Sequence, residues 1–420
     1  MKKVYFLLLF AFLLINSGAL WAQCNNGRYH DKIFSEGVTT VQYGRAMQYD
    51  STYVNLMVDV YQPSGDNFAH RPLLIFAFGG SFTSGVRQSP DLVYLCTEFA
   101  ERGYVCASID YRLGVPSCNE CDTNEFLALM RGVQDMKAAV RYFYKDAQTA
   151  NQFRIDTDQI FIGGVSAGAF IALNYAYLKT DTFSIIPPGF AIPSILSLGG
   201  LDGNSGNAGY SEKVKGCIDL CGAIADTVWI MPGDPILVGV HGTADSLVAC
   251  YYDSLQAITN VKSSLFGGGD IKHRLQHVQL IDSFYLFQGA GHCPFILPYP
   301  PTYNPIPWMD TTENIMRDFL YPNIVCDTAT ISGIETPSFA THITVFPNPA
   351  DDWVYISSDG QNEIALQVLN VEGQLVKQEI IPGNSTFAIS RGELNAGLYL
   401  MHFTDKTTGE LLKTSKLIFY

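Results

Sequence analysis

The chain has 420 residues, 47% of them hydrophobic and 16% charged, enough for one large globular domain and a smaller one. Its 26 Lys and Arg against 40 Asp and Glu give a formal net charge of −14. That balance repels a phosphate backbone and excludes nucleic acid as an expected partner.

Read in chain order, the N-terminus has the form of an export signal. Lys2 and Lys3 precede an apolar run from Val4 to Ile15, and Ser17, Gly18 and Ala19 lead to a cleavage point after Ala22. The run is too short to span a bilayer, and no later segment is long and apolar enough, so no transmembrane segment is expected. Residues 1–22 are therefore expected to be a signal peptide. All ten cysteines lie beyond it, in a chain bound for an oxidising compartment. Cys118 and Cys121 form a C-x-x-C with no second Cys/His pair at ligand spacing, which favours a local disulfide or free thiols over zinc. Cys217 and Cys221 lie on or beside a strand, and their partners are not readable.

Thr39–Met47 and Asn55–Gln62 alternate like antiparallel strands. From Leu73 the texture changes to continuous apolar runs, as strands buried on both faces require. These are Leu73–Phe78, Val105–Asp110, Ile160–Gly163, Cys217–Leu220, Ile236–Val240 and Val278–Phe287. Helical spacing falls between them, at Pro90–Arg102, Glu125–Asp146, after Ala167, and at Met309–Leu320. Strand alternating with helix predicts an α/β domain over 23–326, with a mostly parallel sheet and helices on both faces. Residues 182–215, rich in Pro, Gly, Ile and Ser, form an insert that reads as a cap, a substrate-facing excursion or a surface loop. Residues 327–342 read as a linker. Short alternating strands at Val354–Ser357, Ala365–Leu369, Thr386–Ile389 and Leu398–Phe403 then predict a small C-terminal all-β sandwich over 343–420.

The chemistry centres on Gly164-Val165-Ser166-Ala167-Gly168, set between a buried strand and a helix. A nucleophilic serine on such a turn needs small neighbours, so that strand and helix can approach and leave its oxygen exposed at the helix N-terminus. A serine attacks only when a base takes its proton. Of eight histidines, His241 and His292 directly follow strands, where open α/β sheets place their sites. The chain order nucleophile, acid, histidine selects Asp245 as acid and His292 as base, with Asp219 as the rival acid. His241 then shapes the acid loop. Phe78-Gly79-Gly80-Ser81-Phe82 follows the Leu73 strand, and the N–H groups of Gly80, Ser81 and Ala167 are the expected oxyanion hole.

With these motifs in view, residues 37–322 resemble the carboxylesterase and esterase/lipase branches of the α/β-hydrolase superfamily. Asp110-Tyr111-Arg112 is similar to the D-Y-R of those esterases, and His241-Gly242-Thr243-x-Asp245-x-x-Val248 to their acid loop, which prolyl-oligopeptidase relatives share. Where the family usually reads H-G-G-G or H-G-G-S, this chain has Phe78, so the histidine that braces the oxyanion loop is missing. The resemblance implies acyl transfer on carboxylic esters through Ser166, Asp245 and His292, with no metal or organic cofactor. The expected substrate is a small-molecule or polymer-borne ester, such as an acyl or feruloyl ester of polysaccharide. A prolyl-oligopeptidase-like serine peptidase and a polyester hydrolase are the alternatives.

The C-terminal segment carries Val345-Phe346-Pro347-Asn348-Pro349-Ala350, Leu369-Asn370-Val371-x-Gly373, Leu394-Asn395-Ala396-Gly397-Leu398-Tyr399 and Lys416-Leu417. In that order they resemble the type IX secretion sorting domain. The resemblance implies the type IX secretion machinery as a partner, and a secreted or cell-surface protein reached through the periplasm. A carbohydrate-binding sandwich is the competing reading, with Trp353 as its aromatic platform.

Overall fold

The structure is a computed structural model. It describes residues 27–115, 121–179, 199–254, 264–296, 307–324, 343–346, 350, 352–358, 360–370, 373–409 and 411–419. The expected signal peptide, the linker, Cys118, the first part of the insert and Pro347-Asn348-Pro349 lie outside the described residues. The chain divides into two compact units, one up to residue 328 and one from residue 329.

The first unit is built on an eight-stranded sheet. Strands β1 (Glu36–Met47) and β2 (Tyr53–Pro63) form an antiparallel pair at one edge. Next come β4 (Val105–Ile109), β3 (Arg71–Ala77), β5 (Ile155–Val165), β6 (Gly216–Leu220), β8 (Ile236–Gly242) and β11 (Asp282–Phe287), mutually parallel. The order follows from burial. Every residue of β3, β4 and β6 is buried, as a strand covered on both faces must be, whereas β1 keeps an exposed, alternating pattern suited to an edge. A small second sheet joins β7 (Ala223–Ile224), β10 (Ser264–Gly267) and β9 (Asp253–Ser254).

Five helices flank the large sheet among the described residues: α1 (Pro90–Glu101), α2 (Cys121–Gln148), α3 (Ala167–Tyr177), α4 (Gly268–Val278) and α5 (Pro307–Ile324). Proline opens α1, where its missing N–H costs nothing. Helix α3 is apolar all round and buried along almost its whole length, as a central helix must be.

The structure corrects one element. Val278–Phe287 is not a single strand: Val278 ends helix α4, and β11 begins at Asp282. Gln279 closes the helix in the left-handed conformation (φ +54°), its N–H turned back to the Gln276 carbonyl. Ile271 and Leu275 sit one turn apart and are buried, but Gly268 and Gly269 at the start disguise the helix. They are there for space: a Cβ on Gly268 would lie 2.7 Å from the His241 Cβ.

Part of the insert is described and it is docked. Arg45 donates to the Ser205 carbonyl (2.9 Å), Asn207 to that of Tyr43 (2.7 Å), and the Ser205 hydroxyl to Asp135 of α2 (2.6 Å). Residues 199–215 are thus clamped to β1 and α2.

The second unit has two antiparallel sheets. One orders β12 (Ile343–Phe346), β13 (Trp353–Ser358) and β16 (Ser385–Ser390). The other orders β15 (Leu375–Ile381), β14 (Ile364–Leu369), β17 (Gly397–Asp405) and β18 (Leu411–Phe419). Alternate residues such as Val354, Ile356, Leu366, Val368, Met401 and Phe403 make its core, as the two-residue period of a strand dictates. Trp353, the proposed aromatic platform, is 52% exposed.

Candidate active site

Ser166 stands at the junction of β5 and α3 with φ +53° and ψ −116°, a conformation that residues with a β-carbon avoid. Its surroundings enforce the turn. The Ser166 N–H donates to the Leu220 carbonyl of β6 (2.9 Å), and its own carbonyl accepts from Ala169 (2.8 Å) and Phe170 (3.1 Å). A Cβ on Gly168 would overlap the Ala77 carbonyl, and one on Gly164 would overlap Gly168. Only glycine at both positions lets β3, β5 and α3 come this close.

Two further loops complete the cluster. The loop after β8 carries Asp245 and the loop after β11 carries His292. They are laced together: Thr243 N–H donates to Phe287 (3.0 Å), Ala244 N–H to Ala290 (2.9 Å), and Gly289 N–H to the Thr243 hydroxyl (2.8 Å). This lacing aligns the side chains. His292 Nδ1 lies 2.7 Å from Asp245 Oδ2, and His292 Nε2 lies 2.9 Å from Ser166 Oγ. With Asp245 ionised, the pattern fixes Nδ1 as donor and Nε2 as acceptor from the serine hydroxyl.

The Asp245 carboxylate is wholly buried. Burial alone would raise its pKa. Donation from His241, His292 and the Val248 N–H outweighs that and holds it well below the ordinary carboxylate range. Its Oδ1 accepts from the N–H groups of Leu247 and Val248, both at 2.9 Å. His241 lies 3.3 Å from Oδ2 and 2.8 Å from the Val248 carbonyl, so it holds the acid loop from the other side. Burial opposes its charge, but the bond to Asp245 prevails and its pKa is pushed up to about 9. Asp219, the rival acid, is buried on β6 and accepts from Gly222 (2.7 Å). Burial pushes its carboxyl up to about 6, and none of the hydrogen bonds among the described residues joins it to His292.

The glycine loop after β3 passes over the serine. A Cβ on Gly79 would sit 3.3 Å from Ser166 Cβ. Gly80, Ser81 and Phe82 follow with φ of +126°, +52° and +59°. The N–H groups of Gly80, Ser81 and Ala167 make no backbone hydrogen bond among the described residues.

Sequence reasoning left this loop without its brace, and the structure supplies one from Asp110-Tyr111-Arg112. The Tyr111 hydroxyl donates to the Phe78 carbonyl (3.0 Å), and its ring stacks on the Phe78 ring with centroids 4.4 Å apart. Asp110 pairs with Arg87 beyond the loop (2.8 Å), and the Arg112 guanidinium grips buried Asp135 of α2 (2.9 Å). An aromatic at 78 with a tyrosine after β4 was the available signal. Among the described residues no group of three or more His, Cys, Asp or Glu is placed to hold a metal ion.

Residues 58–230 match the family model described as BD-FAE, a span that includes the glycine loop and Ser166 but ends before Asp245 and His292. Residues 344–419 match the model described as Secretion system C-terminal sorting domain. Among curated proteins, an endo-acting ulvan lyase of Formosa agariphila is 30% identical over 79 residues, 19% of this chain and 15% of that protein's length. Among solved structures, Thermogutta terrifontis esterase 2 phosphorylated by paraoxon is 20% identical with a TM-score of 0.49, covering 69% of this chain and 95% of that one. The propionate-bound esterase of the same species is 19% identical with a TM-score of 0.48, covering 71% and 98%. Residues 58–230 are thus similar to the BD-FAE family and residues 344–419 to a secretion system C-terminal sorting domain, and the sorting domain indicates a place at the cell surface or outside the cell.

Proposed function

We propose that this chain is an extracellular serine esterase that works through an acyl-enzyme on Ser166. The observation that carries the reading is the unbroken line Ser166 Oγ, His292 and Asp245, at 2.9 and 2.7 Å, beginning on a strained turn. In this mechanism His292 Nε2 takes the hydroxyl proton as Oγ attacks the ester carbonyl. The N–H groups of Gly80, Ser81 and Ala167 receive the oxyanion. His292 then protonates the leaving alcohol. Water attacks the acyl-enzyme with His292 again as base, releasing the acid and restoring Ser166. Asp245 holds the imidazole in the required tautomer and stabilises its cation.

An esterase exported to the cell surface meets esters borne on polymers, and acyl or feruloyl esters of polysaccharide are the substrate class we favour. The test is a panel of short-chain aryl esters, feruloylated oligosaccharides and peptide anilides, given to the full chain and to Ser166→Ala. Loss of roughly three or more orders of magnitude in kcat/KM on esters is expected in the variant. An undiminished rate in Ser166→Ala would put the nucleophile elsewhere. Faster cleavage of the anilides than of any ester would replace the esterase by a peptidase.

A further inference from the structure

Asp245 serves two histidines. Its Oδ2 lies 2.7 Å from His292 Nδ1 and 3.3 Å from His241 Nε2, while its Oδ1 accepts from the N–H groups of Leu247 and Val248. His241 Nε2 also lies 2.8 Å from the Val248 carbonyl oxygen. A carbonyl can only accept, so Nε2 carries a hydrogen whether the ring is neutral or charged. The ring is buried, and its Nδ1 has no hydrogen-bond partner among the described residues. A polar ring buried for packing alone is normally satisfied at both nitrogens. This one is bonded only on the side that faces the acid. Space is kept for it as well. A Cβ on Gly268 of α4 would lie 2.8 Å from His241 Nδ1, and the Phe284 ring of β11 closes the same corner. The ionisable groups that face His241 are Asp245 in the acid loop, Asp219 on β6 and the Cys221 thiol. Asp219 pairs with Gly239, two residues before His241, so both side chains lie on one face of the sheet. His292 meets Asp245 at Nδ1, and Ser166 Oγ (2.9 Å) and Cys293 Sγ (3.4 Å) at Nε2.

We propose that His241 is a positioning residue for the ester reaction: it donates to the carboxylate oxygen that His292 uses, and so limits how strongly Asp245 supports the His292 cation. The proposal rests on the serine mechanism given above. Its physical basis is competition for one oxygen. The hydrogen on His241 Nε2 brings positive charge close to Asp245 Oδ2 and offsets part of the field that the carboxylate exerts on the neighbouring imidazole. Without that donor, the field of a buried carboxylate would hold a proton on His292 to higher pH. Less of the neutral ring would then be present to take the Ser166 proton. With the donor, Asp245 stays ionised in its buried site and still leaves His292 able to act as a base. A charged His241 acts in the same direction as a neutral one, more strongly.

The test compares the full-length wild type with two variants. His241→Phe keeps a ring and removes the donor, and His241→Gln keeps an amide N–H within reach of the Nε2 position. In His241→Phe the acid limb of kcat/KM on an aryl ester should move to higher pH by about half a unit or more. Below the limb, the rate relative to its own plateau then falls roughly threefold or more. His241→Gln should restore most of the wild-type limb. A uniform fall in kcat/KM with the limb unmoved would mean that the ring only holds the loop, and overturns the proposal. So does a Gln variant that behaves as the Phe variant does. Nitrogen-15 spectra of the histidine-labelled wild type need no variant to fold. His241 Nε2 should stay protonated between about pH 5 and pH 10, and a bare Nε2 anywhere in that range overturns the proposal. The same spectra follow the His292 ring without turnover, and its midpoint should lie higher in His241→Phe than in the wild type. If no ester is cleaved, the serine mechanism fails, and that midpoint still decides the role of His241.

Discussion

In the hydrolase unit, eleven of the described non-glycine residues have positive φ, and five of them, Ser81, Phe82, Ser166, Cys221 and Cys293, lie at or beside the loops that carry the candidate site. Asp219, His241 and Asp245 are buried in the same region. In the C-terminal unit, Asn384 is the one non-glycine with positive φ among the described residues, and Ser358 and Asp405 are the buried polar side chains. Nearly half of that unit's positive-φ residues, and part of its buried charge, therefore sit where several strands converge and can hold them. The sandwich has little of either, because alternation of inward and outward side chains suffices to close it. The two units should differ accordingly in what they tolerate.

The largest expected contrast is between two glycines. Gly168→Ala drives a methyl into the Ala77 carbonyl, and should cost about 3 kcal/mol or more or prevent folding of the first unit. Gly409→Ala in the sandwich has open space around it and only an unfavourable φ of +73°, worth about 1 kcal/mol. Urea midpoints of the two variants measure the difference, and equal losses would break the comparison.

A smaller effect tests the brace. Tyr111→Phe keeps the ring on Phe78 and removes the donor to its carbonyl. Ester hydrolysis should lose roughly tenfold in kcat with KM changed less than about twofold, since the oxyanion loop serves the transition state. An unchanged kcat would assign the bracing to the stacked rings alone.

The smallest effect concerns pH. The folded pKa of His241, at about 9, lies above its ordinary value of about 6.5. Its contribution to stability is complete below about pH 6.5 and is lost as pH rises through about 9. Melting midpoints across that window should fall more steeply in the wild type than in His241→Gln. Parallel curves would mean that the ring is already neutral in the folded protein.

The parallel sheet was legible because strands buried on both faces leave continuous apolar runs, as at Leu73–Ala77. Helix α4 was not, because the glycines that make room for His241 and Tyr251 erase its opening turn. Ser166, Asp245 and His292 were nameable from flanking glycines, strand ends and chain order, and the structure sets His292 within hydrogen-bonding distance of both Ser166 and Asp245. The brace by Tyr111 left only the hint of an aromatic at 78 and a tyrosine after β4, since it depends on the approach of segments far apart in sequence.

The placement of His292 in the loop after the edge strand also sets a schedule. The proposed nucleophile and oxyanion loop are both encoded by residue 167, but the proposed base arrives only when β11 docks on β8. During synthesis and export the chain can carry a formed serine turn and still be chemically silent. Under the proposed mechanism hydrolysis begins with the last strand of the sheet, so an ester assay on this protein is also a clock for the completion of its fold.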